Sequence, residues 1–169
     1  MAFFQSTQTK YPGPIQAPIN ADGANDIVPI VGDFTLPAGM ASGDIVEMCV
    51  LPAGYVPVDV IVTTEALGTT MTTDCGILSG DAGKLLDNLG AARTQGAEFF
   101  TAQPLQTAGV YRTNLYTGAT VAPTLGDLST SPFANGDRGI GLKFTTVGTP
   151  TTGKKVRMTL LARPRIEGA

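Results

Sequence analysis

Hydrophobic and polar positions alternate with a period of two over much of the chain, most clearly between Asp44 and Leu78. Val46, Met48 and Val50 share one face of a first strand, and Val56, Val58, Val60 and Val62 share one face of a second, because successive side chains of a strand point to opposite sides. The β-branched richness of Tyr55 to Thr64 suits a pleated, half-buried surface. Between the two runs stands Leu51-Pro52-Ala53-Gly54, and the spacing predicts a hairpin in the core. The opposite faces carry Glu47, Asp59 and Thr63 together with Ile45, Cys49 and Ile61, which predicts that they too are partly covered. This pattern defines a β-sandwich or barrel, and no site chemistry follows from it.

The remaining elements follow in order. Ile27 to Leu36 is a strand punctuated by Pro29 and Gly32 and closed by a second Leu-Pro-Ala-Gly turn at Leu36 to Gly39. The repeated tetrapeptide is reused turn chemistry, in which proline fixes φ and glycine supplies the positive-φ corner. Thr69 to Leu78 is a further strand. Asp81 to Ala92 is the one helix candidate, short because of Gly83 and Gly90, with Leu85, Leu86 and Leu89 on a common face. Val110 to Tyr116 is strand-like and Thr117 to Asp137 loop-like. Gly139 to Val147 and Lys154 to Arg163 are expected to close the domain as a hairpin, with Val156, Met158, Leu160 and Ala162 facing inward. The predicted core comprises Val46, Met48, Val58, Val60, Val62, Ile77, Leu142, Phe144, Met158 and Leu160.

The first 26 residues break this pattern. Pro12, Pro14 and Pro18 disfavour helix and central strand alike, so residues 1–26 are read as an extended arm and 27–169 as one β-sandwich domain. Phe3, Phe4, Tyr11, Ile15 and Ile19 give the arm apolar anchors. It is either a loose terminus or a segment that lies along a neighbouring subunit, and the anchors favour the second.

Composition sharpens the class. The 169 residues suffice for one domain with a real core; 15% are charged, 21 are glycine, 12 are proline, and there is no tryptophan or histidine. A net charge of −3 argues against a general nucleic-acid binder, which needs a basic surface. No uncharged apolar run approaches the ~18 residues of a membrane span, and the start lacks a signal-peptide pattern, so a soluble, cytoplasm-made protein is expected. Lys154, Lys155, Arg157, Arg163 and Arg165 gather five of the eleven cations near the C-terminus. They are read as the solvated face of an edge strand or, alternatively, as a docking face for an acidic partner surface.

Catalytic chemistry finds little to rest on. Without histidine there is no Ser-His-Asp or Cys-His arrangement, and Cys49 and Cys75 alone cannot build a zinc centre; they are expected as buried thiols, with a disulfide open only if their strands are neighbours. Gly148-Thr-Pro-Thr-Thr-Gly153-Lys154 matches the first seven places of a phosphate-binding loop, but Lys155 stands where Ser or Thr is needed and a strand follows instead of a helix. A turn explains the same residues. Asp22, Asn25 and Asp26 lack a full calcium spacing, and Asp59 with Glu65 has no support as a glycosidase pair. No enzyme, cofactor or metal site is assigned.

One stretch carries a resemblance. Leu51-Pro-Ala-Gly-Tyr-Val-Pro-Val-Asp-Val-Ile-Val62, continuing through Thr70-Met-Thr-Thr-Asp-Cys-Gly-Ile-Leu-Ser-Gly80, resembles small tailed-phage virion proteins, in which such a turn leads into a Val/Asp strand and then a Thr-rich strand before a Gly-Asp turn. The likeness covers residues 44–81 and the last strand. It implies a jelly-roll sandwich, often a homotrimer, that decorates a capsid shell as a cement protein: a non-enzymatic virion component on the capsid surface, assembled in the host cytoplasm, whose partners are the major capsid protein and further copies of itself, with no nucleic acid and no membrane. Phe3, Phe4, Tyr11, Ile15, Ile19, Lys154, Arg157 and Arg163 are the candidate capsid contacts. The alternative is a receptor- or carbohydrate-binding β module of a phage head or tail fibre, with Tyr111, Tyr116 and Phe133 as its candidate aromatics.

Overall fold

The computed structural model describes the backbone of residues 3–5 together with residues 27–112 and 136–164. Among them are nine strands: β1 Phe3–Gln5, β2 Val28–Thr35, β3 Ile45–Leu51, β4 Tyr55–Thr64, β5 Thr72–Asp81, β6 Phe100–Pro104, β7 Gly109–Arg112, β8 Arg138–Thr146 and β9 Lys155–Pro164. They form a five-stranded sheet of order β1-β3-β8-β5-β6 and a four-stranded sheet of order β2-β9-β4-β7. The sheets close over one core, in which Leu36, Val46, Met48, Val60, Val62, Leu142, Phe144, Met158 and Leu160 are buried. The fold is a β-sandwich. Every pairing is antiparallel except that of β1, which runs parallel to β3.

The expected hairpins are not hairpins. β3 and β4 lie in opposite sheets, and so do β8 and β9; β3 pairs with β8, and β9 lies between β2 and β4. The alternation predicts most of the inward-facing residues, but a buried face can be met by a strand across the sandwich as well as by one beside it. Both Leu-Pro-Ala-Gly turns therefore lift the chain from one sheet to the other. Their glycines take the positive φ expected of them, 79° at Gly39 and 78° at Gly54. It follows too that β9 is an interior strand and not an edge.

Two bulges shift the faces. In β3 the register slips between Glu47 and Cys49, so Glu47 stays on the outer face while Cys49 turns inward, its thiol directed at the carbonyls of Ile30 and Met158 in the opposite sheet (3.6 and 3.8 Å). In β4 the slip falls between Pro57 and Asp59, leaving Val58 as the extra residue, half-buried and not in the core. Ile77 is likewise half-buried, packed against the core from outside it.

The helix expected over 81–92 is absent; those residues form turns and short bridges. Gly83 and Gly90 sit at φ 74° and 78°, outside helical space. The Asp87 carboxylate accepts hydrogen bonds from the amides of Leu89 (2.9 Å) and Ala91 (2.8 Å), the local competition by which aspartate diverts a backbone from helix. The strand expected over 110–116 is seen as β7 as far as Arg112; its remainder lies outside the described residues.

Candidate functional site

The segment from Ala82 to Phe99 is the most heavily organised surface feature. Its returning half runs beside β5: Ser79 N–H donates to Thr94 O (2.9 Å), Gly96 N–H to Ile77 O (3.0 Å) and Phe99 N–H to Cys75 O (3.0 Å). From it Arg93 reaches across the outer face of the five-stranded sheet to Glu47 on β3, Nη1 to Oε1 at 3.1 Å, and both side chains are 0% exposed. Arg93 also donates from Nε to Ser79 O (2.6 Å) and from Nη1 to Lys84 O (3.0 Å), while Gly83 N–H donates to the Glu47 carboxylate at 3.0 Å. Space for this pair comes from glycine. A Cβ at Gly139 would lie 1.9 Å from Glu47 Oε1 and 2.8 Å from Arg93 Nη2. A buried charge of either sign is tolerated only with a partner and further hydrogen bonds, which this arrangement supplies.

Held in this way, the segment turns its leucines outward. Leu85, Leu86 and Leu89 are 65%, 51% and 93% exposed. Their frame is closed by Asp87 and by a link between Asn88 and Asp81, whose carboxylate accepts from Asn88 Nδ2 at 3.3 Å. An apolar tip on a hydrogen-bonded frame costs little ordering entropy on docking, which suits a protein contact.

The outer face of the four-stranded sheet carries the candidate cations. Arg157 grips Asp33 with two bonds, Nε to Oδ1 at 2.7 Å and Nη2 to Oδ2 at 2.9 Å. The Arg157 hydrogen bonds hold the Asp33 carboxyl below its ordinary value. Lys154 lies 3.9 Å from Glu65, whose other oxygen accepts from Lys155 N–H at 2.7 Å, and Arg112 of β7 pairs with Asp59 of β4. Arg163 is half-buried. Arg157 and Lys154 thus have carboxylate partners within the molecule, and the row is not a free basic stripe. Cross-strand register places Pro29 beside Leu161, and Val31, Thr159 and Ile61 in one row, so an apolar band runs between the ion pairs.

Phe3 and Phe4 lie in β1, on the edge of β3; Tyr11, Ile15, Ile19 and Arg165 lie outside the described residues, as do Asp22, Asn25, Asp26, Tyr116 and Phe133. Tyr111 is half-buried, with its hydroxyl donating to Thr107 O (2.7 Å). In the phosphate-loop look-alike the amides are already engaged: Thr149 N–H donates to the Thr69 hydroxyl, Thr151 N–H to Leu67 O and Gly153 N–H to Leu36 O. Cys49 and Cys75 are free and buried, on strands separated by β8. Burial pushes the Cys49 thiol up to about 12 and raises Cys75 also, so neither is a ready nucleophile. Among the described residues no group of three His, Cys, Asp or Glu side chains is placed to hold a metal.

Sequence reasoning missed Glu47 and Arg93 as a unit. A carboxylate inside an otherwise apolar strand, and glycines at three interior strand positions (76, 139, 141), were the available signals of something crossing the sheet closely.

The fold is a β-sandwich whose organised features, among the described residues, are packing and ion pairs. No protein-family model matches the chain, and no curated protein matches it. Two solved structures do. A chain of the capsid of Ralstonia phage GP4 is similar over 98% of this chain and 100% of its own, at 30% identity and a TM-score of 0.73. A chain of the cyanophage Pam1 capsid asymmetric unit is similar in fold over 90% of this chain and 96% of its own, at 19% identity and a TM-score of 0.52. The chain belongs to a family of phage capsid-associated proteins.

Proposed function

We propose that this protein is a non-enzymatic structural component of a phage virion that binds the outside of the capsid shell and stabilises it, a decoration or cement protein working as a homotrimer. The observation that carries the reading is its full-length likeness to a phage capsid chain. The strand orders β2-β9-β4-β7 and β3-β8-β5-β6, with the chain crossing between sheets at each connection except β5 to β6, fit the eight-stranded jelly roll expected of such a subunit. Apolar surface for attachment is available at the leucine tip of the 82–92 segment and along the Pro29, Val31, Ile61 and Leu161 band. Residues 1–26 form the arm in this reading, with Phe3, Phe4, Tyr11, Ile15 and Ile19 as its shell anchors, and the β9 cations add rim contacts.

The test is co-sedimentation with purified shells of the parent phage lacking this protein. Wild-type protein pellets with shells in a fixed ratio to the major capsid protein, and the Tyr11→Ala, Ile15→Ala double variant pellets weakly. Failure of the wild type to pellet sinks the decoration reading. Sedimentation velocity separately checks the trimer, which a monomer at micromolar concentration would exclude.

A further inference from the structure

The exposed edge of β3 is filled by three residues that come from outside the antiparallel framework. Phe3 pairs with Ile45, Phe4 with Val46 and Gln5 with Glu47, in parallel, whereas all other strand pairs among the described residues are antiparallel. Without β1 the edge would present open backbone along a strand whose side chains are almost all buried, the kind of edge that recruits another chain.

What joins β1 to the sandwich bears on whose β1 fills the edge. Gln5 sits opposite Glu47, and β2, which follows the joining segment, packs across the sandwich on β3, where Ile30 O accepts from the Cys49 thiol at 3.6 Å. Roughly 20 residues, 6–27, join two strands that both pack on β3, and a chain of that length reaches on the order of 70 Å when extended. Its sequence includes Pro12, Pro14 and Pro18, and proline-rich linkers act as semi-rigid spacers.

We infer that the β3 edge is a strand-acceptor site for the N-terminal residues of a second copy of this chain, so that in the oligomer each copy supplies β1 to its neighbour's five-stranded sheet. The pairing is the same whichever copy supplies it, so exchange forfeits no contact and gains a link between copies. In a closed ring every β3 edge is covered. This concerns how copies join one another through the β1 backbone; attachment to a shell rests on side chains of the arm and is read separately, with the Tyr11→Ala, Ile15→Ala variant.

The test uses the full chain carrying a photo-cross-linking phenylalanine analogue at Phe3 or, separately, at Phe4, since successive residues of a strand face opposite ways. After irradiation at micromolar concentration, denaturing gels are expected to show covalent dimers, and peptide mapping to place the link within Asp44 to Met48 of the second copy. A product of monomer mass linked at those residues, links elsewhere, or no link at all overturns the inference. A second variant, Phe4→Pro, removes an N–H from the pairing strand. It is expected to sediment as a monomer, and retention of the wild-type oligomer would count against strand exchange.

Discussion

Replacing Arg93 by alanine removes the cation from a pair in which both side chains are fully buried. The Glu47 carboxylate then keeps the Gly83 amide but has lost the guanidinium, in a site that the Gly139 backbone seals on one side. Breaking a buried pair from one end costs about 3–5 kcal/mol, because the remaining charge is left uncompensated. The lost bonds to Ser79 O and Lys84 O are part of the same disruption and are not added to that figure. For a domain of this size each kcal/mol shifts the melting temperature by about 2–4 °C, so a fall of roughly 6–20 °C is expected. Urea unfolding followed by circular dichroism measures the free energy directly. The double change Glu47→Met with Arg93→Met should cost much less than Arg93→Ala alone, as neither charge then remains. An Arg93→Ala cost below about 1 kcal/mol would refute the buried clamp.

Val60→Asp places a carboxyl among fully buried side chains and should destabilise by several kcal/mol, so a soluble, cooperatively folding variant of near wild-type stability would contradict the core assignment. Asp33→Asn should lower the melting temperature only slightly, because its Arg157 partner is exposed. The Asp33 carboxyl titrates below its unfolded value, so its contribution is complete above about pH 4 and lost as the pH falls further, and the difference between variant and wild type should vanish in acid. Leu85→Ser with Leu89→Ser should leave the melting temperature within a degree or two, as both side chains are largely exposed, while weakening attachment to shells; unchanged attachment would remove the leucine tip from the docking surface.

The alternation in Tyr55 to Thr64 and Lys155 to Pro164 made a half-buried sheet legible, and eight of the ten predicted core residues are buried. Partners were not legible. Periodicity states which face is inside and leaves open whether the covering strand lies beside or across, which is why β3 with β4 and β8 with β9 were expected as hairpins. Bulges at Glu47 and Pro57 depend on tertiary pairing and leave no mark in a period-two pattern; they carried Cys49 inward and Val58 out of the core. Leucines at 85, 86 and 89 had helical spacing, but the Asp87 side chain and two left-handed glycines decided otherwise. The Glu47 and Arg93 clamp joins residues distant in sequence and became visible only once Gly139 was seen beneath it. Resemblance, more than composition, led to the capsid.

The most direct measurement of the central claim is a cryo-electron microscopy reconstruction of the parent virion with the protein's copy number determined by quantitative mass spectrometry. The account predicts β-sandwich density on the outer surface of the shell, in a fixed ratio to the major capsid protein. Intact capsids without such density, or the protein confined to the tail, would contradict it.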